Sequence, residues 1–430
     1  MNRLRFCFIT TFYPPYHFGG DGIAVQRLAR ALVARGHHVT VVHDVDAFDV
    51  LRPDTAGPLP EPPEPPGLDV VRLRSGVGLL STLLTQQTGR PILNGRRIRA
   101  ILDEGRFDVV NFNNISLIGG PGLLAYAPEA VRVYFAHEHW LVCPTHVLWR
   151  HNREVCTGRE CLRCSLAHGR PPQLWRFTGY LEKQLRHVDV FIAMSEFSRD
   201  KHREFGFPRD MEVLPYFLPD PDPDLDPVAP GSSDESPHPR PYFLFVGRLE
   251  RIKGLDDVIP AFERYRDADL LIAGDGDHGP ALKGLAGDNP RITFLGRIDV
   301  ASLEQYYRHA IALIVPSVCF ETFGIILIES FKQATPVIAR RIGPFPEIVQ
   351  QSCGGELFDT EQELVAAMAR LQNDVARRET MGAAGYEGYR TRWSESQVVP
   401  CYLDIVRRAE TRDRAGRRPS SRFQDERREE

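Results

Sequence analysis

Glu321 and Glu329 stand eight positions apart in the string Glu-Thr-Phe-Gly-Ile-Ile-Leu-Ile-Glu. About 70 residues upstream lies a second string, Phe245-Val-Gly-Arg248-Leu-Glu-Arg-Ile-Lys253-Gly254. The chemistry these residue types suit is the binding of a sugar joined to a diphosphate. An apolar strand over 310–315 runs into a loop, and the loop opens a helix at about Phe323. The free N–H groups and the dipole of a helix N-terminus hold an anion. Glu321 then sits just before that helix, placed to hydrogen-bond a sugar. Glu329 sits two turns inside it, placed to grip another hydroxyl pair along the ligand. Gly324 has no side chain, so the N–H groups of Phe323, Gly324 and Ile325 can approach a phosphate closely. Arg248 and Lys253 follow a separate apolar strand, 242–246, where they can neutralise phosphate charge from the side.

These residues need an open sheet to position them, and the chain supplies the pattern twice. Phe6–Thr10 reads as a buried strand, followed by a loop containing Gly19-Gly20. A helical apolar pattern then runs over 24–35, ended by Gly36, and a second strand follows over 38–43. Strand–loop–helix–strand is the opening of a parallel, doubly wound sheet, whose ligands bind at the carboxyl edge. The stretch 219–241 is rich in proline and then in Gly, Ser and Asp, a linker composition. After it the rhythm restarts, with strands expected at 242–246, 270–273, 292–295, 311–315 and 336–339. The reading is an α/β chain with a first domain over 1–218, a linker over 219–241 and a second domain over 242–390. The polar, arginine-rich segment 410–430 is expected to be disordered.

Both strings in this order, with an N-terminal Gly-Gly loop, make the chain resemble the retaining glycosyltransferases of family 4. The resemblance covers roughly residues 4–408. It implies the GT-B fold, two Rossmann-like domains facing across a cleft, with a segment over 391–409 crossing back to the first domain. It implies donor-binding roles for Gly19, Gly20, Arg248, Lys253, Glu321, Phe323, Gly324, Ile325 and Glu329, with Glu321 on the donor sugar and Glu329 on the ribose. By the same resemblance, Arg248 and Lys253 stabilise the leaving diphosphate, and no metal is needed for catalysis. The family often places a histidine and an acid at the end of a strand, near the sugar hydroxymethyl group. His137 takes that place here, and Glu138 stands where aspartate is more usual. The implied catalytic group is then His137, Glu321, Arg248 and Lys253, and the implied reaction is same-face transfer with a phosphate oxygen assisting as base. The expected partners are a UDP- or GDP-sugar donor and a glycan, lipid-linked or small-molecule acceptor, as in polysaccharide biosynthesis. Two rival classes are a GT-B scaffold without activity and a metal-centred binding module. Intact Glu321, Glu329, Arg248, Lys253 and His137 weigh against the scaffold.

Cys143, Cys156, Cys161 and Cys164 form C-x12-C-x4-C-x2-C within the insert 143–164. Four thiolates with a closing C-x2-C suit a closed, structural zinc site, with an iron–sulfur cluster, a disulfide or free thiols as alternatives. Asp-x-Asp strings, which could ligate a metal, occur at Asp44–Asp46, Asp275–Asp277 and in the run over 220–226. The last reads as linker and Asp275–Asp277 as a turn after a strand, so a metal-dependent reading is disfavoured. The stretch 171–186 carries Leu174, Trp175, Phe177, Tyr180, Leu181 and Leu185 among basic residues, which reads as an amphipathic helix packed on the core. A membrane-surface contact is its alternative.

Composition is that of an ordinary globular chain: 430 residues, 42% hydrophobic and 26% charged, with a net charge of −4. That charge gives no reason to expect nucleic acid as a partner. No apolar run reaches the roughly 18 residues of a membrane span. The first ten residues could mimic a short signal peptide, but their apolar stretch is too short and leads into a glycine loop, so they read as the first strand. The expected location is the cytoplasm or the inner face of the membrane, where eight cysteines argue against a disulfide framework.

Overall fold

A computed structural model describes residues 3–52, 59, 63–220 and 235–416. The proline-rich run over 53–62 and the centre of the linker, 221–234, therefore lie almost wholly outside the described residues.

Two parallel sheets organise the chain. The first contains β1 (Arg5–Thr10), β2 (His38–Asp44), β3 (Leu68–Leu73), β4 (Val109–Asn113) and β5 (Val131–Ala136). A small antiparallel pair, β6 (Trp149–Arg150) and β7 (Glu154–Val155), stands apart in the cysteine insert. The first sheet is completed by β8 (Val190–Ala193) and β9 (Glu212–Val213), in the order β3-β2-β1-β4-β5-β8-β9. The second contains β10 (Tyr242–Val246), β11 (Asp269–Ala273), β12 (Ile292–Gly296), β13 (Leu313–Val315), β14 (Val337–Arg340) and β15 (Gly355–Phe358), in the order β12-β11-β10-β13-β14-β15. The strand order reverses beside β1 in the first sheet and beside β10 in the second, and crevices at such reversals are where α/β sheets bind ligands.

The inner strands are apolar on both faces, as strands covered by helices on both sides must be. Phe6, Phe8, Val39 and Val41 are fully buried in the first sheet, and Tyr242, Leu244, Leu271 and Leu313 in the second. One cluster of buried residues runs through both sheets, joined by Phe331, Tyr389, Trp393 and Tyr402.

Several elements differ from the expectation. The helix at the acidic string starts at Ile325, not Phe323, so Glu329 lies little more than one turn inside it. The segment 171–186 is not one helix. Gly179, with φ +70°, breaks it into a 3-10 turn, Leu174–Phe177, and a short helix, Tyr180–Leu185. Trp175, Leu181 and Leu185 are buried, whereas Leu174 and Phe177 face outward. The last helix runs from Glu395 to Gly416, past the point where disorder was expected, and 417–430 lie outside the described residues. That helix lies on the first sheet: Tyr402 donates to Asn111 Oδ1 at 2.9 Å and Arg35 pairs with Glu395 at 2.6 Å.

Candidate active site

Two helices from different domains bring their N-termini together. The Gly20–Ala34 helix follows the loop after β1, and the Ile325–Lys332 helix follows the loop after β13. Neither first turn is capped by a side chain, so both leave backbone N–H groups without a cap partner. A Cβ placed on Gly20 would lie 3.5 Å from Ile325 Cγ2, which puts the two first turns in contact across the cleft. Gly324 has φ +131°, and a Cβ there would meet Phe345 at 2.8 Å. Only glycine fits that position without strain. Two facing helix N-termini direct their positive dipole ends and free N–H groups at one point, as a diphosphate requires, with Asp21 in the first turn of the Gly20–Ala34 helix offsetting part of that field.

The charged side chains stand around this point. Lys253 Nζ donates to Glu321 Oε1 at 2.6 Å, and Ser317 Oγ donates to the same oxygen at 3.2 Å. Burial alone would raise the Glu321 carboxyl; the Lys253 ammonium and the two hydrogen bonds outweigh it and hold the carboxyl low. Burial alone would lower Lys253, and Glu321 reverses that and keeps the ammonium charged. Arg248 is about half exposed and pairs with Glu250 at 2.7 Å, leaving its guanidinium at the rim. Glu329 faces the other domain: Tyr307 donates to its Oε2 at 3.2 Å, and Arg27 of the first domain lies 3.7 Å from its Oε1. Burial raises its carboxyl, with Arg27 and Tyr307 pulling the other way.

His137 ends β5 on the opposite wall. Its Nε2 lies 2.9 Å from Asn113 Oδ1, so that nitrogen carries the proton and donates, and its Nδ1 accepts from the Tyr216 hydroxyl at 2.8 Å. Burial takes its pKa down to about 4, against the pull of Asp21 and Glu138, so the ring is neutral at neutral pH. Glu138 turns away to His146 Nδ1 at 2.7 Å. Two hydrogen bonds stitch this wall to the second domain: Thr322 Oγ1 donates to the His137 carbonyl at 2.8 Å and Ser195 Oγ to the Thr322 carbonyl at 2.7 Å.

The structure thus gathers Gly20, His137, Lys253, Glu321, Phe323, Gly324, Ile325 and Glu329 around the meeting of the two domains, with Arg248 at the edge. Gly19 is the residue before the first helix and has ordinary extended backbone, φ −164°. Sequence reasoning missed Asn113, Tyr216, Arg27 and Tyr307. Asn113 and Tyr216 follow from the carboxyl-edge rule, since each lies at or just past a strand end. Arg27 and Tyr307 carry no local signal. Asp44 caps the Val45–Leu51 helix and Asp46 accepts from Ser75, which accounts for that Asp-x-Asp string locally. Asp275 accepts from its neighbour Gly276 N in a turn where Gly274 N donates to the Gly296 carbonyl at 2.7 Å.

Two facing Rossmann-like domains with the site between them define the GT-B fold. A family model described as Glycosyltransferase Family 4 matches residues 18–218, and one described as Glycosyl transferases group 1 matches residues 240–374. The chain therefore carries a glycosyltransferase-type domain on each side of its linker. Among relatives, it is 32% identical over 173 residues to a phosphatidyl-myo-inositol mannosyltransferase of Mycobacterium leprae, covering 38% of this chain and 46% of that protein. It is 33% identical over 186 residues to a D-inositol 3-phosphate glycosyltransferase of Thermobifida fusca, covering 38% and 43%. These matches span less than half of either relative. A D-inositol 3-phosphate glycosyltransferase of Xylanimonas cellulosilytica is matched at 26% identity over 420 residues, 92% of this chain and 93% of that protein. Among solved structures, sucrose-phosphate synthase from Thermosynechococcus elongatus superposes with TM-score 0.72 at 20% identity, over 95% of this chain and all of that one. HepE of Anabaena in complex with UDP superposes with TM-score 0.64 at 15% identity, over 94% and 100%. At such identities the two structures speak for the fold.

Proposed function

We propose that the protein transfers a sugar from a nucleotide-diphosphate donor to an acceptor hydroxyl with retention of configuration. The observation that carries this reading is the pair of facing helix N-termini at Gly20 and Ile325 with the Lys253–Glu321 pair beside them. The helix ends and Lys253 suit the diphosphate, whose charge grows as the sugar–oxygen bond breaks. Arg248, at the rim and paired with Glu250, suits the same charge once it exchanges that partner. Glu321 and Glu329 suit donor hydroxyls. Each is held by a partner in the structure, so a donor entering the site exchanges those contacts for its own. His137, neutral and fixed by Asn113 and Tyr216, suits a hydroxyl at the sugar end of the cleft. With same-face attack, the diphosphate oxygen takes the acceptor proton, which asks no further base of the protein. The UDP held by the HepE structure favours a UDP-sugar among nucleotide-diphosphate donors, with a GDP-sugar as the alternative. Transfer is tested by incubating the protein with candidate donors and reading the anomeric configuration of the product by NMR. Retention supports the reading, and an inverted product overturns the same-face step.

A lipid-linked acceptor, taken at the cytoplasmic face of a membrane, is favoured by an inverted helix. Gly78–Thr88 buries Ser81, Thr82 and Thr85 against the protein and turns Leu79 (69% exposed), Leu80 (51%) and Leu83 (43%) outward. Trp175 Nε1 donates to the Gln86 carbonyl at 3.0 Å, which ties this helix to the turn bearing exposed Leu174 and Phe177. Ile92 and Leu93 extend the apolar surface, and Arg90, Arg96 and Arg97, all exposed, supply positive charge along the same stretch of chain. Apolar side chains beside basic ones suit an anionic lipid surface. No helix among the described residues is long and apolar enough to cross a membrane.

A further inference from the structure

The segment 142–170 has little to hold it in shape. Its regular structure is the two-residue pair β6–β7 and one short helix, Cys161–Ala167. Its buried apolar side chains are Cys143, Leu148, Trp149 and Cys164, the first two clustering with Phe205 from outside the segment. Four of its non-glycine residues, His146, Leu148, His151 and Asn152, have positive φ, from +48° to +78°. Backbone of that kind persists only where something else over-determines it, and a segment this short cannot do so with its own core.

What the segment does have is a convergence of thiols. Cys143, Cys156, Cys161 and Cys164 all line one small cavity of about 20 Å³, which is room for a single ion or water. Cys143 and Cys164 are buried, and Cys156 and Cys161 are half-buried. Each of three sulfurs has a partner of its own: Cys143 Sγ lies 3.2 Å from Thr145 Oγ1, Cys156 Sγ donates to the Gly158 carbonyl at 3.2 Å, and Cys164 Sγ accepts from His151 N at 3.3 Å. No three His, Cys, Asp or Glu side chains among the described residues are drawn together tightly enough to hold a metal as they stand. The remaining step is a closure of the sulfurs onto the cavity they already share. Three guanidiniums stand near the thiols: Arg150 by Cys156, Arg159 by Cys161, and Arg176 by Cys143 and Cys161. Four thiolates on a divalent ion carry a net charge of −2; Arg159 and Arg176 offset part of it, Arg150 being already paired with Glu154 at 2.6 Å and Glu160 at 3.7 Å.

We propose that Cys143, Cys156, Cys161 and Cys164 bind one zinc ion as a closed four-thiolate site that orders the insert. Binding releases the four thiol protons and leaves no open coordination position, so the ion is structural. The site is anchored close to the cleft: Cys143 N donates to the His139 carbonyl at 2.8 Å, and His139 N to the His146 carbonyl at 3.0 Å. His146 in turn holds Glu138. The zinc thus fixes the loop that follows His137, and it does so whether or not the cleft transfers a sugar.

Metal analysis of the purified full chain, with thiol titration, tests this. The expected result is one zinc per chain, with Cys353 and Cys401 open to a thiol reagent from the start, Cys7 and Cys319 shielded by burial throughout, and the four insert thiols reacting only after a strong chelator is added. Cys161→Ser and Cys164→Ser should each lose the zinc, while the distant Cys353→Ser/Cys401→Ser double variant keeps it. Should the single variants fail to fold, the chelator-treated wild type is titrated with cobalt(II) instead. The visible bands of tetrahedral cobalt thiolate, saturating at one ion per chain, support the site. Four results overturn it: metal-free folded protein whose four insert thiols react without chelator, iron with acid-labile sulfide, a disulfide among the four, or cobalt without thiolate bands.

Discussion

Lys253 and Glu321 hold each other in a cleft wall where each remains about one-quarter exposed, so their pairing is stronger than a surface ion pair and weaker than a fully buried one. Lys253→Ala leaves Glu321 without its cation and should destabilise the protein by about 1–3 kcal/mol. The double variant Lys253→Ala/Glu321→Ala should recover most of that loss, since it removes both charges, yet should not recover donor binding. Denaturant unfolding of the four proteins in a cycle checks the coupling. Buried histidines give a second expectation. Burial takes His137 and His202 down to about 4 and His43 to about 3, from an unfolded value near 6.5. Because the unfolded chain then binds protons that the folded chain refuses, the contribution of these histidines is full above about pH 6.5 and falls as the pH drops toward 4. Asp44, raised by burial to about 7, works in the opposite sense, and the three histidines outnumber it. Melting temperature followed from pH 7 to 4.5 should decline, and His202→Gln should flatten the decline. A flat wild-type profile would contradict the burial argument.

At the scale of elements, the Ile325–Lys332 helix depends on the glycine before it. Gly324→Ala forces a side chain into a left-handed position already occupied by Phe345, and should cost on the order of 1–3 kcal/mol. Donor affinity should fall as well, because the first turn must shift; thermal unfolding with and without nucleotide separates the two effects. The inverted Gly78–Thr88 helix carries the membrane expectation. Wild-type protein should co-sediment with vesicles containing phosphatidylglycerol and less with phosphatidylcholine alone, and Leu79→Ser/Leu83→Ser/Phe177→Ser should abolish that binding without lowering the melting temperature. This surface was not legible in the sequence. Leu-Leu-Ser-Thr-Leu-Leu-Thr shows helical spacing, but spacing does not say which face meets the core, and here the polar face does. The 171–186 stretch misled for a related reason: its apolar spacing was helical, while a single glycine in the left-handed region broke the helix. The acidic string and the Gly-Arg…Lys string were legible because strand, loop and helix start are contiguous there. Asn113 and Tyr216 lie at or just past strand ends, where the carboxyl-edge rule applies, whereas Arg27 and Tyr307 reach the site only through the packing of distant segments.

Across the whole molecule, the two domains meet through contacts that a donor would have to use or replace. Arg27 reaches Glu329, Thr322 reaches the His137 carbonyl, and Glu347 accepts from the backbone N–H groups of Glu196 and Phe197 at 3.1 and 3.0 Å. Trp393 and the Glu395–Gly416 helix tie the end of the second domain back to the first sheet, Leu218 N donating to the Trp393 carbonyl at 2.9 Å. The linker and this return segment are the two covalent crossings, and any opening of the cleft turns about them. On the proposed function, the space between the helix starts at Gly20 and Ile325 binds a nucleoside diphosphate. Calorimetric titration of the full chain with UDP, GDP and ADP tests it most directly. Saturable binding of one of them at one site per chain, lost in Glu329→Ala and Arg248→Ala variants that melt like the wild type, is the predicted result. No binding of any of the three to well-folded protein, or binding unchanged in both variants, would contradict it.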